Sequence, residues 1–447
     1  MVVIDLFSGA GGLTEGFYKE GYKIIAHIEK DKWACETLKT RICYHYLKER
    51  KNLKLYNEYL KIHNSYKDID KARELIFRKY PELKVKLDME VINKAFGDPE
   101  QEEGVTSIDE IIKLVEYSME YNNASKIDVI IGGPPCQAYS LIGRSRMKDS
   151  VLIDKRNYLF KYYKDIVKYF KPKIFIFENV PGILTAKKGL IFKEIQKEFS
   201  EVGFNLLSGI NSDAKDNILD SREFGVYESR KRMILIGYLN KMDIKYPNFK
   251  KYVKHLKEDI TTINAIGDLP SLQPSEGNDW GLIPYPELQK NSLSKYQRLM
   301  RKDSTGVLNH CARSIQKRDR NIYRKAILKS NEGKQLYYWE LDEDEKTHKN
   351  QKSFVDRFKV HKATDIPHTI VAHISKDGHY NIHPDIKQCR SLTVREAARI
   401  QSFPDNYKFE GPRTAQYVQV GNAVPPLMAQ VIAKTIKNEI LNKISKK

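Results

Sequence analysis

Val2-Val-Ile-Asp-Leu-Phe-Ser-Gly-Ala-Gly-Gly-Leu-Thr14 is an apolar run that breaks into three glycines within four residues. Such a run reads as a buried strand, and the glycines that close it allow a tight turn into a helix. The amphipathic segment Leu13 to Glu20, stopped by Gly21, supplies that helix. A second strand, Tyr22 to Glu29, and a helix from about Asp31 follow. This βαβ opening predicts an α/β fold with a parallel sheet and helices on both faces. Similar units recur at Ile127–Ile131, at Pro172–Glu178 after the helical segment Arg156–Phe170, and at Met233–Tyr238.

Between Tyr44 and roughly Gly104 the chain is rich in Lys, Glu and Tyr with weak helical periodicity, which predicts a helical insertion whose charges form a solvated face. From about residue 241 to 387 the strand–helix alternation is lost in a polar, basic stretch. Within it Thr369 to His383 reads as a β-hairpin turning at Asp377-Gly378. Its histidines, 373, 379 and 383, are expected in structure or DNA contact rather than on a metal, since no cysteine pair accompanies them. Regular patterning resumes at Arg390–Pro404, with Thr393 as N-cap and Glu396 at the capping-box position. A last helix is expected from about Pro425 to Leu441. The division is thus 1–240, 241–387 and 388–447, with the insertion at about 44–104.

The 447 residues are enough for two or three domains, and 41% hydrophobic with 30% charged residues is a globular balance. A net charge of +19 points to a polyanionic partner, nucleic acid above all. Five cysteines, at 35, 43, 136, 311 and 389, form no C-x-x-C pair, so neither a disulfide framework nor a zinc module is indicated. With no basic leader and no apolar run of about 18 residues, a soluble cytoplasmic protein is expected.

Five places could carry chemistry. The turn Gly9-Ala-Gly11-Gly12 approximates a dinucleotide fingerprint but has Thr14 where the third glycine belongs; it implies a nucleoside-containing ligand at a helix N-terminus. Glu29, ending the second strand, is placed to accept ribose hydroxyls, or is a surface acid. Cys136, in Gly132-Gly-Pro-Pro-Cys-Gln-Ala-Tyr-Ser140, sits just past a strand's carboxyl end, where open α/β sheets bind ligands; otherwise it is a small buried hydrophobe. Glu178 ends Ile174-Phe-Ile-Phe-Glu and, if partly buried, has the raised pKa of a proton donor; alone it would cap a turn. Arg230 and Arg232 alternate onto one side of an extended segment and could hold a phosphate or carbonyl oxygen, or be a solvated strand end.

Asp5–Gly12, Gly133–Ser140, Glu178-Asn-Val180, Arg230-Lys-Arg232, Arg390–Asp405 and Gln419-Val-Gly-Asn-Ala-Val-Pro-Pro426 together resemble, in order and spacing, the DNA (cytosine-5)-methyltransferase family. The resemblance covers nearly everything outside the insertion and residues 241–387. It implies a Rossmann-like S-adenosylmethionine-dependent core with a smaller, mostly irregular or β target-recognition domain at 241–387. In that family the cysteine, here Cys136, adds to C6 of a flipped cytosine, and C5 then takes the methyl of S-adenosyl-L-methionine. Glu178 would protonate N3, Arg232 would bind O2, and Arg230 would support it. Phe7, Gly9, Ala10, Gly11, Gly12, Glu29, Pro135, Leu159, Asn422, Ala423 and Val424 would form the cofactor site. Gln137, Ser140, Arg144 and Arg146 would lie on the loop that closes on DNA.

Further implications are double-stranded DNA as partner, no metal, a monomer, and pairing with a restriction endonuclease that the methylation would block. Two positions depart from the pattern. Glu228 stands where the family has glutamine, and would repel phosphate; the acid that contacts the adenine amine is hard to place, with Asp98 the candidate. The rival readings are an RNA cytosine-5 methyltransferase and a catalytically inactive DNA-binding regulator; a dinucleotide oxidoreductase is disfavoured by Thr14 and the thiol.

Overall fold

The computed structural model describes residues 1–135, 159–207, 214–242, 244–253, 258–287, 292–347 and 354–444. Its centre is a sheet in which β1 (Val2–Leu6) pairs in parallel with β2 (Lys23–Glu29) and β4 (Val129–Gly132). The short β3 (Val91–Asn93) extends it beyond β2, and β5 (Ile174–Asn179) beyond β4, both parallel. The order is β3-β2-β1-β4-β5, continued by the later strands β8 (Lys231–Leu239) and β6 (Phe204–Leu206). Strands buried on both faces need apolar side chains throughout, and Val3, Ile4, Val129, Ile130, Ile131 and Ile174 to Phe177 are all without exposure.

Met233–Tyr238 does not extend the parallel series as expected. It belongs to β8 (Lys231–Leu239), which runs antiparallel to β5, as do β6 (Phe204–Leu206) and β7 (Ile218–Asp220) to β8. Apolar patterning marks a buried strand but carries no information on its direction. The reversal has a functional consequence: the first residues of β8 meet the last residues of β5, so Met233 lies opposite Asn179 and Ile234 opposite Glu178.

Helix α1 (Gly12–Lys19) crosses from β1 to β2, and α2 (Lys32–Glu49) starts at Asp31, whose side chain accepts from the Ala34 amide. The expected insertion contains α3 (Leu53–Ile62), α4 (Ile69–Phe77) and α5 (Pro81–Glu90), but also the end of α2 and all of β3. Nor are all its charges solvated: Arg73 is buried against Glu36 and Thr40. Its tyrosines 44, 56 and 59 build a core of their own with Leu47, Ile76 and Leu308. After α6 (Ile108–Tyr121), helices α7 (Leu159–Phe170) and α8 (Leu190–Glu201) complete one face of the sheet.

Within the described part of 241–387 most residues are irregular, as expected, and helix outweighs strand. α9 (Thr262–Ile266), α10 (Lys295–Arg301) and α11 (Lys317–Asn331) are joined by long loops and one ribbon of two-residue strands, β9 (Gly277–Asn278) and β10 (His310–Cys311). α11 buries Ile322, Tyr323, Ala326, Ile327 and Ser330, a helical spacing that polar composition masked. The expected hairpin at 369–383 is absent. A 3-10 turn at Ala372–Ser375 occupies it, and Gly378, at φ +81°, bends the chain with the His379 amide donated to Asp377.

Residues 390–444 return to the sheet as α12 (Val394–Ile400), α13 (Arg413–Asn422) and α14 (Pro426–Ile436). The capping box forms as expected, with the Thr393 side chain accepting from Glu396 N and Glu396 from Thr393 N. α14 packs on α1 so closely that a Cβ on Gly16 would lie 2.3 Å from the Ala429 carbonyl carbon. The packing has no break at residues 240 or 387: Ala265, Tyr296 and Ile370 share one core with Leu392, Val394 and Tyr417.

Candidate active site

Three strand ends converge at the carboxyl edge of the sheet. Gly132 ends β4, and Gly133 leaves room for the Glu178 carboxylate: a Cβ there would be 2.5 Å from Glu178 Oε2. Asn179, next along β5, donates through Nδ2 to the Pro134 carbonyl at 3.2 Å and pins the Pro-Pro turn to the same edge. From the start of β8, Arg232 Nε lies 2.7 Å from Glu178 Oε1, each side chain 14% exposed. Antiparallel pairing of β8 with β5 is what makes this contact.

Burial raises the Glu178 pKa, and the guanidinium groups of Arg232 and Arg230 pull it partly back. A carboxyl so placed can hold a proton and yet carry negative charge without large cost. Cys136, Gln137, Ser140, Arg144 and Arg146 lie outside the described residues; Pro135, half-buried, is the last described residue before them.

Around the β1 turn, Phe7 adopts φ +57° and places its ring 5.0 Å from that of Phe96, which in turn stacks on Tyr162. Gly9, at φ +53°, faces open space: an added Cβ would meet nothing within 4 Å. Gly11 and Gly12 differ. A Cβ on Gly11 would lie 2.7 Å from Leu38 and one on Gly12 2.2 Å from the Val424 carbonyl oxygen, so both serve internal packing. Ala10 is buried in the core shared with Tyr407, whose hydroxyl donates to its carbonyl.

The amides expected to face a ligand are partly engaged. Gly9 N donates to Glu29 Oε2 at 2.8 Å and Gly11 N to Ser8 O at 3.0 Å. Glu29 also accepts from Asp31 N at 2.8 Å, so one carboxylate ties the turn to the end of β2. Leu159 packs against the same core as Phe7, Ala423 and Val424 are buried beside Gly12, and Asn422 is exposed. Asp98 turns its carboxylate onto Glu100 N and Gln101 Nε2 at 3.0 and 2.7 Å, two residues beyond Phe96.

Arg230 is not an open guanidinium beside Arg232. It is buried, donating through Nη1 to Ile370 O at 2.7 Å and through Nη2 to Gly421 O at 2.8 Å. Glu228 is corrected likewise: it faces no phosphate, because it is fully buried and Oε2 accepts from Ile370 N at 2.7 Å.

Two groups escaped the sequence reading. Gly133 and Asp5 lie within the motifs that carry the resemblance, but no individual role follows for either from the sequence. Asp5 accepts from the Thr14 hydroxyl, and burial pushes its pKa up to about 7. Thr14, noted only as a missing glycine, was the available signal. Among the described residues no group of three or more His, Cys, Asp or Glu is placed to hold a metal ion, and no helix is long and apolar enough to cross a membrane. His379 instead bonds Tyr323, and His383 accepts from the Asp385 amide.

A profile describing C-5 cytosine-specific DNA methylases matches residues 1–70 and 93–438, leaving out 71–92 within the helical insertion. The type II methyltransferase M.Bpa9945I of Bacillus paralicheniformis is 57% identical over 441 residues, 98% of this chain and 99% of that one. M.DdeI of Desulfomicrobium norvegicum, also a type II methyltransferase, is 31% identical over 98% of this chain and 88% of its own length. In fold, the chain is similar to a crystal structure assigned as a prophage-encoded DNA modification methyltransferase (E. coli), with a TM-score of 0.59, 20% identity, and coverage of 98% and 99% of the two chains.

Proposed function

The chain belongs to the C-5 cytosine-specific DNA methylases, and from that premise we propose that it methylates C5 of one cytosine within a short duplex sequence, using S-adenosyl-L-methionine. The observation that carries this reading is the Glu178–Arg232 pair, 2.7 Å apart at the sheet edge where the Gly133-Pro-Pro-Cys stretch begins.

Cys136 is the nucleophile in this reading. Its thiolate forms a bond to C6 of the cytosine, while Glu178 delivers a proton to N3 so that charge does not build up on the ring. Arg232 has two roles: it keeps Glu178 poised and offers N–H donors to the cytosine O2. C5, made nucleophilic by that addition, would take the methyl group; loss of its C5 proton with expulsion of the thiolate and return of the N3 proton to Glu178 would then release the product. A stacked cytosine hides C6, so the nucleotide must leave the duplex, at a cost of a few kcal/mol.

The cofactor fits the β1 turn on three counts: open space over Gly9, the Phe7 ring beside it, and the Glu29 carboxylate within bonding distance of that turn. When bound there, S-adenosylmethionine would supply an electrophilic methyl group. Glu29 would orient its ribose, Phe7 would flank its adenine, and Pro135, Leu159 and Asn422 to Val424 would close the site. Residues 241–387 serve in this reading as the recognition domain, working in a monomer. Relatives named as type II methyltransferases favour a role in shielding DNA from a partner endonuclease.

The test is incubation with cofactor and duplex DNA carrying 5-fluorocytosine, whose C5 substituent cannot leave. A covalent adduct that maps to Cys136 is expected. An adduct on transfer RNA and none on any duplex would overturn the reading.

A further inference from the structure

Glu228 and Arg230 are unusual in holding both polar atoms of one distant residue. Glu228 Oε2 accepts the Ile370 amide and Arg230 Nη1 donates to the Ile370 carbonyl, each at 2.7 Å. The Thr369 hydroxyl donates to Ser229 O between them, so three consecutive residues before β8 clasp the recognition segment. The second arm of Arg230 reaches Gly421 O, the residue before Asn422. A Cβ on Gly421 would lie 2.3 Å from Ala372 N, so the same segment seats directly on the end of α13. Arg232 follows two residues after Arg230.

The clasp has one anomaly. Glu228 is fully buried, yet Oε1 has no hydrogen-bond partner and its distance to Arg230 Nη1 is 3.8 Å, with that nitrogen directed at Ile370 O. An ionised oxygen left so would bear the full desolvation cost; a neutral carboxyl, acting through one acceptor oxygen, bears much less. We propose that Glu228 is a positioning residue that works in its neutral form, standing in for an amide, to hold residues 369–372 and the 421–424 turn in register with Arg232.

Charged and titratable groups face it from several elements. Arg230 and Arg232 on its own segment, Asp220 from β7, Tyr296 from α10 and, beyond Arg230, Glu178 from β5 surround it. Burial outweighs the two arginines and pushes its pKa up to about 7, so raising the pH through that value charges a site built for a neutral group.

This inference rests on the proposed methyl-transfer site, and its test separates the two. With the wild type first shown to methylate duplex DNA, kcat and the Kd for DNA are measured for Glu228→Ala and Glu228→Gln from pH 6 to 8.5. Glu228→Ala should lower kcat by about tenfold or more while changing the Kd less, as misplacement of a reacting group does. Glu228→Gln should match the wild type at pH 6 and exceed it severalfold at pH 8.5, because an amide does not ionise. A Gln variant as slow as Ala, a Gln-to-wild-type ratio flat with pH, or an unaffected Ala variant would each overturn the inference. Failure of the wild type itself to methylate would instead overturn the parent reading.

Discussion

Glu178 owes its position to a residue with no side chain. The imagined Cβ on Gly133 comes within 2.5 Å of Oε2, so Gly133→Ala must displace the carboxylate from Arg232. A displacement near 1 Å costs roughly a hundredfold in rate, and we expect that loss in kcat with folding retained, read by single-turnover methylation and circular dichroism. Glu178→Gln keeps the shape and removes the transferable proton. Methylation should then fall by about 10²–10⁴-fold while duplex binding, followed by fluorescence anisotropy, persists. Equal losses in rate and binding would mean that Glu178 serves only to seat the DNA.

At the scale of elements, the seam between α1 and α14 ties the two ends of the chain together. Glycine inside a helix costs about 1 kcal/mol relative to alanine, so propensity alone favours Gly16→Ala. Sterics oppose it: the new Cβ would stand 2.3 Å from both the Ala429 carbonyl carbon and Gln430 N, and backbone cannot rotate away as a side chain can. Overpacking of this kind costs about 1–3 kcal/mol, so a net loss of stability is expected in urea unfolding. Gly9→Ala provides the contrast, since Gly9 has open space but φ +53°. Its penalty is conformational strain, and its readout should be cofactor affinity more than stability.

For the molecule as a whole, buried ionisable groups set the pH range. His27 is held near 3 and His45, His310, His368 and His383 near 4, in each case chiefly by burial, against an ordinary 6.5. Their neutral forms contribute stability that is complete above 6.5 and lost as pH falls toward 4. Asp5 and Glu228, raised to about 7, act in the opposite sense, favouring the folded state below 7 and losing that contribution as pH rises through it. His361 is lowered by burial in the same sense, and together these imidazoles outnumber the two carboxyls raised to about 7, so the melting temperature should fall between pH 6.5 and 4.5. A flat profile would show that these histidines are not neutral in the folded state. The net charge of +19 bears on binding: if lysines and arginines meet phosphates, log Kd for duplex DNA should rise linearly with log salt. A salt-independent Kd would confine that charge to a solvated surface.

The local grammar of the chain was legible because neighbours in sequence decide it. The strand and glycine turn at 2–12, the Thr393 capping box and the strand-end position of Glu178 all follow from local pattern, and six ordered motifs identified the family. Tertiary structure alone decided the rest. The direction of β8, the pairing of Arg232 with Glu178, and the burial of Arg230 and Glu228 depend on chain segments far apart in sequence. A charged side chain has the same local pattern whether it meets water or a carbonyl 191 residues away, as Arg230 does at Gly421. Only the packing that removes water from it determines which, and that packing makes Arg230 a tie from the start of β8 to Ile370 and Gly421.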